Sequence, residues 1–88
     1  MRIFVHVQGI SPSGNGNAAN DAHTAAMIQA LEYFLGRGRD VIAQSTYARQ
    51  GANATEIVIE SKLWFTGDAS DFDENGPTFP AFQVNGDL

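Results

Sequence analysis

The hydrophobic pattern is clearest between residues 17 and 35, where it repeats with the period of an α-helix. At 100° per residue the large apolar side chains form one stripe, which contains Met27, Ile28, Leu31, Phe34 and Leu35, with Thr24 on its line. The other side contains Ala22, His23, Ala26, Gln29, Ala30 and Tyr33. Because burial of large apolar side chains drives packing, we expect the first stripe to face the core and the alanine side to face solvent.

Polar and glycine residues mark both ends of this predicted helix. Asn17 or Asn20 can cap its amino end through a side-chain oxygen. Gly36 or Gly38 can adopt the left-handed conformation that commonly ends a helix.

Three further segments, residues 1–10, 40–50 and 55–65, show the alternation of β-strands. In the first, one face consists of Ile3, Val5 and Val7, which we expect to meet the helix. In the third, one face consists of Ile57, Ile59, Leu63 and Phe65, interrupted by Ser61, and the other of Glu56, Val58, Glu60, Lys62 and Trp64. The short link at residues 51–54 predicts a β-hairpin between the second and third strands.

These elements predict an α+β fold, a small two-layer β-α-β-β domain with one helix packed on an antiparallel or mixed sheet. The chain has 88 residues, enough for a single modest core. Residues 1–65 would form the core domain, and residues 66–88 an extended acidic arm of the same domain. Because the arm contains Phe79, Phe82 and Val84, we expect part of it to lie against the sheet.

Charge and composition narrow the classes of function. Ten acidic and five basic residues give a formal charge of −5, so we expect no direct nucleic-acid binding and a protein partner with a basic surface. The absence of cysteine excludes disulfides and thiol chemistry. No apolar run reaches the roughly 18–20 residues of a membrane span, and no signal-peptide pattern is present, so we expect a cytoplasmic protein without membrane contact.

Catalytic and metal-binding patterns are weak. His6 and His23 lie at neither metal-binding nor triad spacing, and we interpret both as surface histidines. Residues 71–76 match the first six positions of a calcium-binding loop, but the twelfth position is Phe82 instead of glutamate. The sequence therefore predicts a non-enzymatic protein with no metal site and no cofactor.

The leading hypothesis is a small acidic protein-binding module. Glu56 and Glu60 are expected to be solvated on the strand face that also carries Trp64, a residue type common at interface anchors. The predicted partner-binding residues are Glu56, Glu60, Trp64, Asp68, Asp71, Asp73 and Glu74. In size and charge alone, with no shared residues, the chain resembles small phage inhibitors of host defence complexes, including anti-CRISPR proteins.

Two alternative functions depend on other features. The glycine-rich loop at residues 9–17 precedes the helix, and its backbone N–H groups could bind a small ligand or a nucleotide. The residues predicted for that site are Gly14, Asn15, Gly16 and Asn17, although their spacing matches neither known phosphate-loop pattern. The second alternative is a structural subunit that assembles through its sheet edge, and the sequence is compatible with a monomer or a homodimer.

Overall fold

A computed structural model describes residues 2–67 in full and the backbone of residues 82–85. The elements are β1 (Arg2–Ser11), α1 (Gly16–Leu35), β2 (Val41–Gln50), β3 (Ile57–Thr66) and β4 (Phe82–Asn85). One helix packed on an antiparallel sheet confirms the predicted α+β class. Apart from its first two residues and β4, the predicted acidic arm at residues 66–88 lies outside the described residues.

The strand order in the sheet is β2-β3-β1-β4. Strand β3 runs antiparallel to both of its neighbours, with Ser61 opposite Val7 on one side and opposite Thr46 on the other. Because β1 and β2 are therefore parallel to each other, α1 is the crossover connection between them. Strand β2 lies at one edge, and a register shift between Val41 and Ala43 interrupts its pairing near one end.

The centre of the buried side of the helix is the alanine side and not the hydrophobic stripe. Its buried residues are Ala19, His23, Ala26, Ala30 and Phe34. By contrast, Ile28 is 51% exposed and Leu35 is 50% exposed, while Met27 and Leu31 only flank the core. The predicted assignment of the stripe to the core was wrong for Thr24, Ile28 and Leu35, which are exposed; Phe34 is buried as predicted, and Met27 and Leu31 are partly buried against the core.

The reason lies in β1, at Gly9. A side chain at this position would overlap the carbonyl oxygen of Ala19 and the backbone of His23, so helix and strand approach each other at backbone distance. Small alanines on the facing side allow this approach, which larger side chains would prevent. Near the other end of the helix, where more room is available, Phe34 stacks on Phe65 with ring centroids 4.6 Å apart. The buried core consists of Ile3, Val5, Val7, Ala26, Ala30, Phe34, Leu63 and Phe65.

The helix begins earlier than predicted. Asn15 caps it, because its side-chain oxygen accepts hydrogen bonds from the N–H groups of Asn17 and Ala18 at 3.0 and 3.2 Å. The predicted caps at Asn17 and Asn20 were therefore wrong. At the carboxyl end Gly36 stays helical, and Gly38 adopts the left-handed conformation with a φ of 75°.

Strand β2 is exposed at all ten of its positions. Helix α1 packs on β1 and, to a lesser extent, on β3. It leaves β2 uncovered, so this strand is held in the fold mainly by its pairing with β3.

Candidate functional site

The sheet surface that faces away from the helix is called here the open face. Strand alternation and register place on it one set of side chains from each of the three long strands. These are Arg2, Phe4, His6, Gln8 and Ile10 from β1, Val58, Glu60, Lys62, Trp64 and Thr66 from β3, and Ala43, Ser45, Tyr47 and Arg49 from β2.

Glu60 lies at the centre of the open face and is only 5% exposed. One carboxylate oxygen lies 2.6 Å from Nε2 of His6 and accepts a 3.0 Å hydrogen bond from the amide of Gln8. The other oxygen accepts a 2.6 Å bond from Nε of Arg49. The expectation that Glu60 is solvated was therefore wrong, since the two neighbouring strands, β1 and β2, supply partners that surround it.

These contacts control the ionisation of Glu60. Burial alone would raise the pKa of this carboxyl, but hydrogen bonds from Gln8, Arg49, His6 and Tyr47 outweigh burial and lower the pKa to about 2. The same contact raises the pKa of Tyr47, because its hydroxyl hydrogen-bonds to the carboxylate. Glu60 is therefore ionised at neutral pH and balances the charge of Arg49.

Aromatic side chains flank this polar centre. Trp64 and Phe4 are directly opposite each other on β3 and β1, half-buried, with ring centroids 5.2 Å apart. The ammonium group of Lys62 lies 5.9 Å from the ring centroid of Tyr47, which is 39% exposed. Trp64 thus occupies the predicted face, and its nearest described aromatic partner is Phe4.

The charge is distributed very unevenly along the chain. Residues 2–67 contain five acidic and five basic residues, so the whole formal excess of −5 comes from residues 68–88. On the open face of the described strands, the carboxylate of Glu60 forms an ion pair with Arg49, and Lys62 lies beside them on β3.

The predicted partner-binding residues do not form one acidic cluster within the described part of the chain. Glu56 precedes β3, where its carboxylate accepts a 3.0 Å hydrogen bond from the N–H of Ala52 in the β2–β3 turn. Glu60 is buried in the network described above, next to the half-buried Trp64. The remaining predicted positions, Asp68, Asp71, Asp73 and Glu74, lie outside the described residues.

The glycine-rich loop is held by internal contacts. Gly14 has a φ of 77°, and the hydroxyl of Thr55 in the β2–β3 turn donates a hydrogen bond to the carbonyl oxygen of Pro12. Two backbone N–H groups at the helix start, including that of the predicted ligand residue Asn17, already bind the side chain of Asn15. These groups would have to exchange this partner before they could bind an anion.

A second polar network runs between the layers. Nε2 of His23 lies 2.6 Å from the Ser61 hydroxyl, which lies 2.7 Å from the Thr46 hydroxyl, and Gln44 donates a 2.9 Å bond to Thr46. Burial lowers the pKa of His23. The prediction of a surface histidine at position 23 was wrong. The available signal was Ser61, whose hydroxyl interrupts an apolar strand face and requires a buried partner.

No protein-family model, no curated protein and no solved structure matches this chain. Within the described residues, no group of three or more histidine, aspartate or glutamate side chains is arranged to hold a metal ion. The one helix in that part of the chain is not apolar enough over its length to cross a membrane.

Proposed function

We propose that this chain is a small, non-catalytic protein-binding module whose partner adds a β-strand to the free edge of β2. The observation that carries the proposal is the exposure of β2 at all ten positions of an edge strand. An edge strand presents a row of backbone N–H and C=O groups, which are the natural partners of another extended chain.

Strand β2 has few of the features that protect sheet edges from such pairing. It contains no proline and no lysine, and its one charged residue, Arg49, is bonded to Glu60 on the open face. The register shift affects only the end near Val41. The eight positions from 43 to 50 pair regularly with β3, so they present an outer edge about 26 Å long.

The surroundings of β2 also leave room for side chains of an added strand. His23 and Phe34 contact β3, and at 100° per residue Met27 and Leu31 follow on the same side of α1. This apolar flank of the helix therefore faces the half of the sheet that α1 does not cover. Alternate side chains of an added strand would continue the sheet surface that this apolar flank of α1 faces. Apolar side chains would be favoured beside Ala48.

The acidic segment at residues 68–88 supports the proposal that the partner has a basic surface. Five carboxylates are concentrated in residues 68–88, and four of them, Asp68, Asp71, Asp73 and Glu74, begin directly after Gly67 at the end of β3. Such a concentration of charge attracts a basic surface over about one Debye length and raises the association rate. An edge strand that pairs with a partner, together with an acidic segment that attracts it, would suit an inhibitor of a basic, nucleic-acid-binding host complex.

The test uses two matched Gln→Lys variants. Gln44 is exposed on β2 and Gln29 is exposed on α1, so both substitutions add one positive charge at the surface. The tagged chain would capture its partner from an extract of the native cells, and amide hydrogen exchange would map the contact. We expect Gln44→Lys to weaken the complex at least about 10-fold, because lysine on an edge strand opposes pairing. We expect Gln29→Lys to bind as the wild type does.

Protection of the β2 amides in the complex is the second expected result. Equal binding by both variants, or amide protection confined to other elements, would refute strand addition at β2. An association rate that is independent of salt would separately refute the basic partner. A complex that contains only this chain, identified by its mass in sedimentation, would favour the structural-subunit alternative, in which two β2 edges pair with each other.

A further inference from the structure

A chain of hydrogen bonds connects the buried side of the helix to the exposed edge strand. Nε2 of His23 on α1 lies 2.6 Å from the hydroxyl of Ser61 on β3, and that hydroxyl lies 2.7 Å from the hydroxyl of Thr46 on β2. His23 and Ser61 are buried, whereas Thr46 is exposed, as is all of β2. The chain of bonds therefore runs from the interior to the strand that the helix leaves uncovered.

No ionisable side chain faces His23 from the three long strands. The positions on the helix side of the sheet are the odd-numbered ones from 3 to 11 in β1 and from 57 to 65 in β3, and the even-numbered ones from 44 to 50 in β2. All of them are apolar residues, glycine, serine, threonine or glutamine. Strand β4 has no ionisable residue in its sequence, and the nearest one on α1, Asp21, is exposed and lies about 160° around the helix from His23. Within the described residues, a protonated His23 would therefore have no carboxylate to balance its charge.

The contacts around His23 also show which element can move. On the side of β1, the backbone of His23 lies so close to Gly9 that a methyl group does not fit between them. Strand β3 pairs with a neighbour on each of its edges, whereas β2 pairs with β3 alone. Segments with few buried contacts open at the lowest free energy, so movement on the side of β2 is the easiest.

We propose that protonation of His23 locally opens β2, so that acid pH weakens the hold of the sheet on its exposed edge strand. A neutral imidazole can accept a hydrogen bond from Ser61 or donate one to it, whereas a charged imidazole only donates. The charge also needs solvation, which water supplies when β2 separates from β3 near Thr46. Burial lowers the pKa of His23, which is the direction expected where the closed structure disfavours the charged form.

This inference concerns the free chain and requires no partner. Its consequence for binding rests on the proposed function, because a strand that adds to β2 needs β2 in its place in the sheet. Such a complex would weaken as pH falls below about 6.5, where the imidazole of an opened chain becomes charged.

Amide hydrogen exchange of the free, full-length chain tests the proposal, with protection calculated against the intrinsic exchange rate at each pH. We expect the β2 amides that pair with β3 to be less protected than the β1 amides at both about pH 7.5 and about pH 5, because a local opening exposes β2 alone. We expect the protection of β2 to fall between these two pH values by about 3-fold to 30-fold. The upper limit of about 30-fold is the ratio of charged to neutral imidazole at pH 5 for the ordinary pKa of 6.5.

Two matched His→Gln variants identify the group that is responsible. His23→Gln keeps a side chain that can hydrogen-bond to Ser61 but cannot acquire a charge, and we expect it to lose the fall in β2 protection. His6→Gln makes the same change on the open face, where His6 bonds to Glu60, and should show the same fall as the wild type. Both variants keep every carboxylate of the chain, so titration of acidic residues would affect them alike.

Three results would overturn the proposal. These are equal protection of β1 and β2 at both pH values, a change in β2 protection of less than about 3-fold, and a fall that persists in His23→Gln. If His23→Gln does not fold, as judged by circular dichroism, NMR titration of the two histidine rings in the wild type decides the question. The midpoint of the change in β2 should coincide with the titration of His23, and a midpoint that follows His6 instead would refute the proposal.

Discussion

Replacement of Gly9 by alanine tests why the helix buries its alanine side. The added methyl group would overlap Ala19 and would lie 2.8 Å from Cα of His23. These are backbone atoms of α1, which cannot rotate away as the end of a flexible side chain would. The helix would have to move off the sheet and loosen the packing of Phe34 on Phe65.

The expected magnitude follows from the nature of this overlap. Overpacking of a core typically costs 1–3 kcal/mol, and we expect Gly9→Ala to cost about 3 kcal/mol because the obstacle is backbone. For a domain of this size, that loss corresponds to a fall in Tm of about 12–24 °C. Urea unfolding followed by circular dichroism would measure the change in the free energy of unfolding.

Gly16→Ala is the matched control. Gly16 is the first residue of α1, and a methyl group there meets no atom within 4 Å. Alanine favours the helix by up to about 1 kcal/mol over glycine, so this variant should be as stable as the wild type or more stable. If Gly9→Ala costs less than about 0.5 kcal/mol, close backbone approach does not explain the orientation of the helix.

The remaining predictions concern the core and the two buried ionisable groups. Phe34→Ala should cost about 3–5 kcal/mol in urea melts, while Ile28→Ala, at a half-exposed position, should cost less than about 1. Glu60 has a pKa of about 2 in the fold and 4.5 in the unfolded chain, so its stabilising contribution is complete above pH 4.5 and is lost as pH falls to about 2. The stability advantage of the wild type over Glu60→Gln should therefore shrink across that interval, and a constant difference would contradict the network. Burial lowers the pKa of His23 below 6.5, so His23 binds a proton more readily in the unfolded chain than in the folded chain. Stability should therefore fall as pH drops below about 6.5. His23→Gln should lack this component, and an identical pH profile in both proteins would refute it.

Local patterns were sufficient to predict the α+β class and the positions of the long elements. Strand alternation correctly placed Ile3, Val5 and Val7 against the helix, because the two-residue period depends only on backbone geometry. The sequence predicted a helix at residues 17–35, and α1 spans Gly16–Leu35. Both signals arise between neighbouring residues, so the sequence alone contains them.

The orientation of the helix depended on a pair of distant positions. A rule that buries the largest apolar side chains selects Leu31 and Ile28, but it does not include the distance at which the helix meets the sheet. That distance is set by Gly9 against Ala19, and it leaves space only for small side chains over most of the contact. Only the assembled layers show which of the two helix sides fits.

For the candidate sites, too, the sequence predicted some features and the tertiary structure decided the others. The sequence placed Trp64, Lys62 and Glu60 on one strand face, but it could not show that pairing with β1 and β2 would bring His6, Gln8 and Arg49 around that carboxylate. Net charge was readable from composition, whereas the ion pair between Arg49 and Glu60 follows from the register of β2 and β3. Composition determines how much charge the chain carries, and tertiary structure decides which charges meet, because Coulomb interactions depend on distance and burial and not on order along the chain.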